Sequence, residues 1–184
     1  GLTASQEEEV DTDPDDPEFD AERQRMAPRF HENGKGLASC DLNGDGYVDL
    51  IGTNSNGPLF LGESVIDFFP GPLFVWQNGG GDGHWISLRL KGRMGVDGTG
   101  SNADAVGARV FVTADIGDGK LHTQVRDVLA SSTFLGMSCL DLHFGLGEAS
   151  KVNEISILWP SGVRQILTAE DVDQVLEIVE PAAE

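Results

Sequence analysis

The sequence predicts an all-β chain: an antiparallel β-sandwich of about seven short strands, preceded by an oxygen-rich β-hairpin loop and an extended acidic N-terminal arm. Three observations predict it. Between residues 84 and 180 apolar residues recur at every second position over short runs, the period of a strand with one buried face. Twenty-four glycines in 184 residues supply the turns that short strands need. Acidic residues number 31 against 12 basic ones, for a net charge of −19, and they crowd the first 22 positions without any apolar periodicity.

Residues 1–36 open with GLTASQEEEVDTDPDDPEFDAERQRMAPRF. Self-repulsion of the carboxylates between Glu7 and Glu22, with Pro14 and Pro17 among them, predicts extended chain. A single helical turn over Pro17–Met26, with Asp16 as its cap and Pro17 at its first position, is the local exception. The arm is either a solvated tail or a contact for a protein face rich in Arg and Lys. In the second case Glu7, Glu8, Glu9, Asp11, Asp13, Asp15 and Asp16 make the contact.

Residues 37–83 contain CDLNGDGYVDL, Cys40–Leu50. Counted from Asp41, oxygen donors fall at positions 1, 3, 5 and 9 as Asp41, Asn43, Asp45 and Asp49. Gly46 at position 6 permits a sharp bend, and Tyr47 at position 7 offers its backbone carbonyl. Alternating carboxylates around a tight bend suit Ca²⁺, which takes about 6–8 oxygens. An EF-hand would need a bidentate Glu at position 12, where Gly52 stands, and a helix on each side. The flanks GKGLAS and VDLIGTNSNGPLFLG are instead rich in glycine and strand formers. The motif therefore joins two strands and resembles the calcium loops of FG-GAP or VCBS repeats, with an Asx/Gly-rich turn lacking metal as the alternative. No repeat of about 40–60 residues recurs, so this is a single unit rather than a propeller. A lone site without a bidentate Glu predicts an affinity of about 10⁻⁴ to 10⁻³ M, the extracellular class.

Residues 84–180 read as the sandwich, with a tail at 181–184. Period-two runs are Ile86, Leu88, Leu90; Val110, Val112; Leu121, Thr123, Val125; Leu140, Leu142, Phe144; and Ile155, Ile157, Trp159. VRQIL and QVLEIV complete the set. VDGTGSN, DIGDGK, GLGEAS and PSG separate strands as turns. A helix is expected only at Ala169–Gln174. Trp76, Trp85 and Trp159 are either core anchors or a platform for a glycan.

The blocks NGGGDGHWISLRLKG, SNADAVGARVFVTA and LDLHFGLGEASKVNEISILWPSG resemble the ASPIC/UnbV domain over roughly residues 78–180. That domain accompanies FG-GAP repeats in cartilage acidic protein-like and bacterial secreted proteins. The resemblance implies an extracytoplasmic binding or adhesion module, often with Ca²⁺, and no established catalytic activity. The chain departs from the pattern in its acidic arm, in the RMGVDGTG insertion before Ser101, and in lacking an array of preceding repeats.

Charge and motif content narrow the function. A surface at −19 repels nucleic acid and anionic headgroups, and no run reaches the roughly 18 apolar residues that cross a bilayer. His31, His84, His122 and His143 lack metalloprotease spacing, though a zinc pair of His84 and His143 stays open. No serine stands in a G-x-S-x-G setting, and NGGGDG lacks the Lys-Ser/Thr of a P-loop. Cys40 and Cys139 either pair, closing a loop of about 100 residues that the chain-entropy model credits with roughly 4–5 kcal/mol, or are separately buried thiols. The expectation is a non-catalytic, extracytoplasmic (periplasmic, secreted or cell-surface) Ca²⁺-binding interaction module. It would serve as an accessory or scaffolding subunit of a larger assembly, soluble or membrane-associated, with a basic-faced protein partner. A carbohydrate-binding or cell-surface adhesion module is the alternative.

Overall fold

The computed structural model describes residues 2–4, 19–20, 25–26, 34–54, 57–61, 64–69, 73–132 and 136–182. Regular structure among them is strand, apart from one 3-10 turn at Arg93–Gly95. Eight strands come first: Leu2–Ala4 (β1), Phe19–Asp20 (β2), Arg25–Met26 (β3), Gly34–Cys40 (β4), Asp49–Asn54 (β5), Gly57–Leu61 (β6), Ser64–Phe69 (β7) and Leu73–Asn78 (β8). Seven more make the sandwich: His84–Lys91 (β9), Arg109–Asp115 (β10), Leu121–Asp127 (β11), Leu142–Gly147 (β12), Val152–Leu158 (β13), Arg164–Glu170 (β14) and Gln174–Val179 (β15).

One sandwich sheet has the order β11-β10-β13-β14, the other β12-β9-β15. The alternation read from the sequence sets their inner faces. Ile86 and Leu88 of β9, Val110 and Val112 of β10, Phe144 of β12, and Ile155 and Ile157 of β13 are buried in one core, with Trp159 beside them. Burying such side chains is worth about 1.5–3 kcal/mol each, which is the main force holding the two sheets face to face. Along one flank, side chains bridge the sheets: Gln124 Nε2 donates to Gly145 O at 2.7 Å and Arg126 Nε to His143 O at 2.8 Å.

Four details differ from the sequence-based expectation. First, β15 runs parallel to β9, so this sheet is mixed. The corner after β14 crosses to the other sheet, and Asp173 fixes the landing point: its N–H donates to Trp85 O at 2.6 Å and its carboxylate accepts from Trp85 N at 3.1 Å. That clasp joins the starts of both strands, so they leave in the same direction. Second, no helix forms at Ala169–Gln174. Ala169 and Asp173 hold φ of 60° and 57°, a left-handed backbone that a right-handed helix cannot contain. Third, Leu121, Thr123 and Val125 alternate as expected but face outward; β11 is an edge strand whose other face packs inward. Fourth, Phe19–Asp20 and Arg25–Met26 pair as antiparallel strands where a helical turn over Pro17–Met26 was expected. A lone short helix is marginal in water.

The segment before the sandwich is also sheet. β4, β5 and β8 run in the order β8-β5-β4, with β1 added on the outer side of β8, and β6 pairs with β7. β4 and β5 form an antiparallel ladder from Cys40↔Asp49 outward, so strands, not helices, flank the bend at 41–48. The arm residues Glu7, Glu8, Glu9, Asp11, Asp13, Asp15 and Asp16 lie outside the described residues.

Candidate functional site

The bend is built by its own side chains. Asp41 Oδ1 accepts from Gly44 N at 2.7 Å and Asp45 N at 3.2 Å, while its Oδ2 accepts from Gly46 N at 2.8 Å. Asn43 Oδ1 accepts from Asp45 N, and Asp45 Oδ1 accepts from Tyr47 N at 2.9 Å. Each is an Asx-type closure that fixes a tight turn. Gly44 and Gly46 take φ of 77° and 88°, where a side chain would be strained.

Asp49 has a different task. It is 1% exposed, and its two oxygens accept from Leu42 N at 2.9 Å and Asn78 N at 2.7 Å. It therefore ties the start of the bend to the end of β8. A buried carboxylate satisfied by two N–H donors is a strong internal brace.

Asp41, Asn43 and Asp45 are thus joined directly or through the backbone between them, with Asn43 Nδ2 donating to Asp45 Oδ2 at 2.8 Å. Asp49 is linked to them only through the Leu42 amide. Among the described residues no three Asp, Glu, His or Cys side chains converge as a metal-holding group. The donor chemistry nonetheless fits a hard divalent ion: three carboxylates and an amide oxygen, with no Lys or Arg anywhere between Lys35 and Arg89. Holding an ion here requires the carboxylates to close inward and the Asn43 amide to turn its oxygen toward them.

The bend is seated on the sandwich by contacts the motif does not announce. A Cβ on Gly46 would overlap the Trp85 ring, so the indole packs directly against the turn. Trp85 in turn stacks on His143 at 5.8 Å between centroids. The Tyr47 hydroxyl donates to the Gly81 and Gly83 carbonyls, holding the glycine-rich lead into β9. Cys40, the residue before Asp41, forms a disulfide with Cys139, Cα–Cα 5.4 Å. Cys139 N donates to Ser39 O beside it, and Ser39 hydrogen-bonds Ser138 through backbone and hydroxyl.

Between the bend and the outer face of the β12-β9-β15 sheet lies a cavity of about 550 Å³. Arg89 and Asp141 form a two-bond fork in it, at 3.0 and 2.7 Å, and that bond holds the Arg89 pKa above its usual value. His143 lines the same space. Burial pushes its pKa down, Asp41 opposes this and Arg126 adds to it. His84 is engaged with Asp173, 2.7 Å from Nδ1 to Oδ2, and the two histidines belong to no metal-holding group among the described residues. Trp159 is core, 1% exposed, with Nε1 donating to Gln165 Oε1 at 3.0 Å; Trp76 stacks on Phe74. The three tryptophans do not make one exposed platform.

A second polar centre escaped sequence reading. Glu180, 1% exposed, accepts from Arg93 N at 3.0 Å, from Ser101 N and Oγ at 2.7 and 2.8 Å, and from the Ser161 hydroxyl. It fastens the end of the sandwich to the RMGVDGTG segment. Glu180 follows Leu176 and Ile178 in the period of two, but a charged residue at the end of a strand reads as solvent-facing, so the sequence did not single it out.

Residues 98–184 match the family model described as ASPIC and UnbV. The ASPIC/UnbV match begins in the loop before Ser101 and takes in β10 to β15, so β9, which threads the core between β12 and β15, lies ahead of it. The chain is also 30% identical over 154 residues to cartilage acidic protein 1 of Mus musculus and 29% identical to the Homo sapiens protein of that name. Each alignment covers 82% of this chain and 20% of the relative. The chain therefore spans about a fifth of the length of the curated relatives it matches. No helix among the described residues is long and apolar enough to cross a membrane.

Proposed function

We propose that the chain is a non-catalytic, extracytoplasmic interaction module whose Asp41–Asp49 bend binds Ca²⁺ as a structural clip, in the manner of one FG-GAP or VCBS unit set against an ASPIC/UnbV sandwich. It would work as an accessory or scaffolding part of a larger assembly with a basic-faced protein partner. One observation carries the reading: an oxygen-only bend, with no Lys or Arg between Lys35 and Arg89, is held against the sandwich at its start by the Cys40–Cys139 disulfide and within the turn by Trp85 against Gly46. A disulfide supports an oxidising compartment, and likeness to cartilage acidic protein 1 supports an extracellular setting. The core position of Trp159 weakens the glycan reading.

The bound ion would neutralise carboxylates that otherwise repel each other, while Gly46 and Trp85 keep the bend in register with β9. The test is a titration by calorimetry, with terbium luminescence sensitised through Trp85 and Tyr47 as a second readout. A dissociation constant of about 10⁻⁴ to 10⁻³ M, lost in Asp45→Asn, is expected. No heat and no luminescence with several millimolar ion would overturn the calcium clip.

A further inference from the structure

The outer face of the β11-β10-β13-β14 sheet carries an unexpected pattern. Partner positions across the four strands line up in rows. The central row reads Val125, Phe111, Ser156, Ile166, with Val125 46% and Ile166 54% exposed, while Ser156 is 4% exposed and accepts from Arg164 Nε at 3.2 Å, so that two apolar ends flank a covered serine. One row to one side stand Arg109 and Arg164, flanking Leu158, itself 48% exposed. One row to the other side stand Thr123, Thr113, Glu154 and Thr168. A sheet face open to water ordinarily alternates apolar inside with polar outside, and a cross-strand apolar stripe rimmed by charge marks an interaction surface.

We infer that this face is the contact by which two copies of the chain form a two-fold dimer. The rows are self-complementary. A two-fold axis lying in the interface plane and crossing the strands at the central row lays the apolar stripe on itself. It also places each copy's arginine row opposite the other's Glu154 row. Arg109 is already bonded to Asp127, at 2.7 and 3.0 Å. Arg164 donates through Nε to Ser156 Oγ at 3.2 Å but, like Glu154, has no ion-pair partner among the described residues, and the aligned sheet packing of about 30° brings such diagonal positions together. Isologous contacts of this kind define the commonest oligomers.

The high net charge does not oppose this. Residues 1–83 carry −13 of the −19, and residues 84–184 only −6. The larger share of the charge thus belongs to residues ahead of the sandwich in the sequence, and physiological salt screens exposed charges beyond about 8 Å.

Sedimentation equilibrium of the purified chain tests the inference across micromolar to millimolar concentration. Wild type should show a reversible monomer–dimer equilibrium. Ile166→Glu should raise the dimer dissociation constant at least tenfold with an unchanged circular dichroism spectrum. Arg164→Glu alone should weaken the dimer, and the exchange Arg164→Glu with Glu154→Arg should restore it. A wild type that stays monomeric at millimolar concentration, or a dimer indifferent to both Ile166→Glu and Val125→Glu, overturns it.

Discussion

Gly46 shows how much one residue can be asked to do. Its place in the motif made it legible as a turn glycine, and its φ of 88° agrees. The motif could not reveal that the Trp85 ring occupies the space where a side chain would start. Gly44 has a similar φ of 77° but open surroundings. The pair separates backbone strain from packing. Gly44→Ala should cost about 1–2 kcal/mol, the left-handed penalty alone. Gly46→Ala should cost about 2–4 kcal/mol, since overpacking adds to it. Denaturant melts of both variants followed by tryptophan fluorescence would check the difference; equal costs would mean that Trp85 moves aside freely.

Glu180 is the residue-scale case in which the sequence was silent. Burial raises its pKa, but the Arg93 amide, the Ser161 hydroxyl and the Ser101 amide and hydroxyl outweigh that, and the net direction is down. A carboxylate with a depressed folded pKa contributes stability that is present above its unfolded value, near 4.3, and lost as pH falls through the folded one. Acid should therefore loosen the sandwich from about pH 5 downward. Glu180→Gln should flatten that acid limb while costing about 2–4 kcal/mol at pH 7, because donors arranged for a charge lose it. A pH series of urea melts reads both effects.

At the scale of elements, most of the sandwich was legible because period-two runs name the strands. Seven of the described strands fall between residues 84 and 179, where about seven were expected. The period cannot say which of two faces packs, nor in which direction a strand returns. That is why Leu121 and Val125 proved exposed and β15 parallel; the β15 direction depends on one Asp173 clasp, a contact 88 residues apart in sequence. The disulfide is likewise a long-range fact. Linking residues 99 apart, it ties β4 to the approach to β12. Its loss should cost about 4–5 kcal/mol by the chain-entropy estimate. Beyond that, it should loosen the bend itself, because Asp41 follows Cys40 directly. Cys40→Ser with Cys139→Ser should thus lower both the melting temperature and the Ca²⁺ affinity, whereas a purely remote brace would lower the first alone.

At the scale of the molecule, diffuse charge repulsion and the proposed ion binding predict different responses to salt. Diffuse repulsion arises from a net charge of −19 whose larger share lies in residues 1–83, and it should yield to any salt. Raising monovalent ionic strength from about 0.01 to 0.15 M shortens the screening length from about 30 to 8 Å, relieving that repulsion whatever the cation. The proposed Ca²⁺ site would add a second, local effect, that of one hard cation held among Asp41, Asn43, Asp45 and Asp49. At a few millimolar, a site of the proposed affinity adds about 1–2 kcal/mol, or about 2–8 °C for a chain of this size. Sodium chloride should therefore raise the melting temperature of wild type and Asp45→Asn alike. Added Ca²⁺, at constant ionic strength, should raise wild type further and leave Asp45→Asn where it was. If Ca²⁺ instead shifted both proteins equally, its action would be screening spread over the whole acidic surface, and the bend would be no more than a hydrogen-bonded turn.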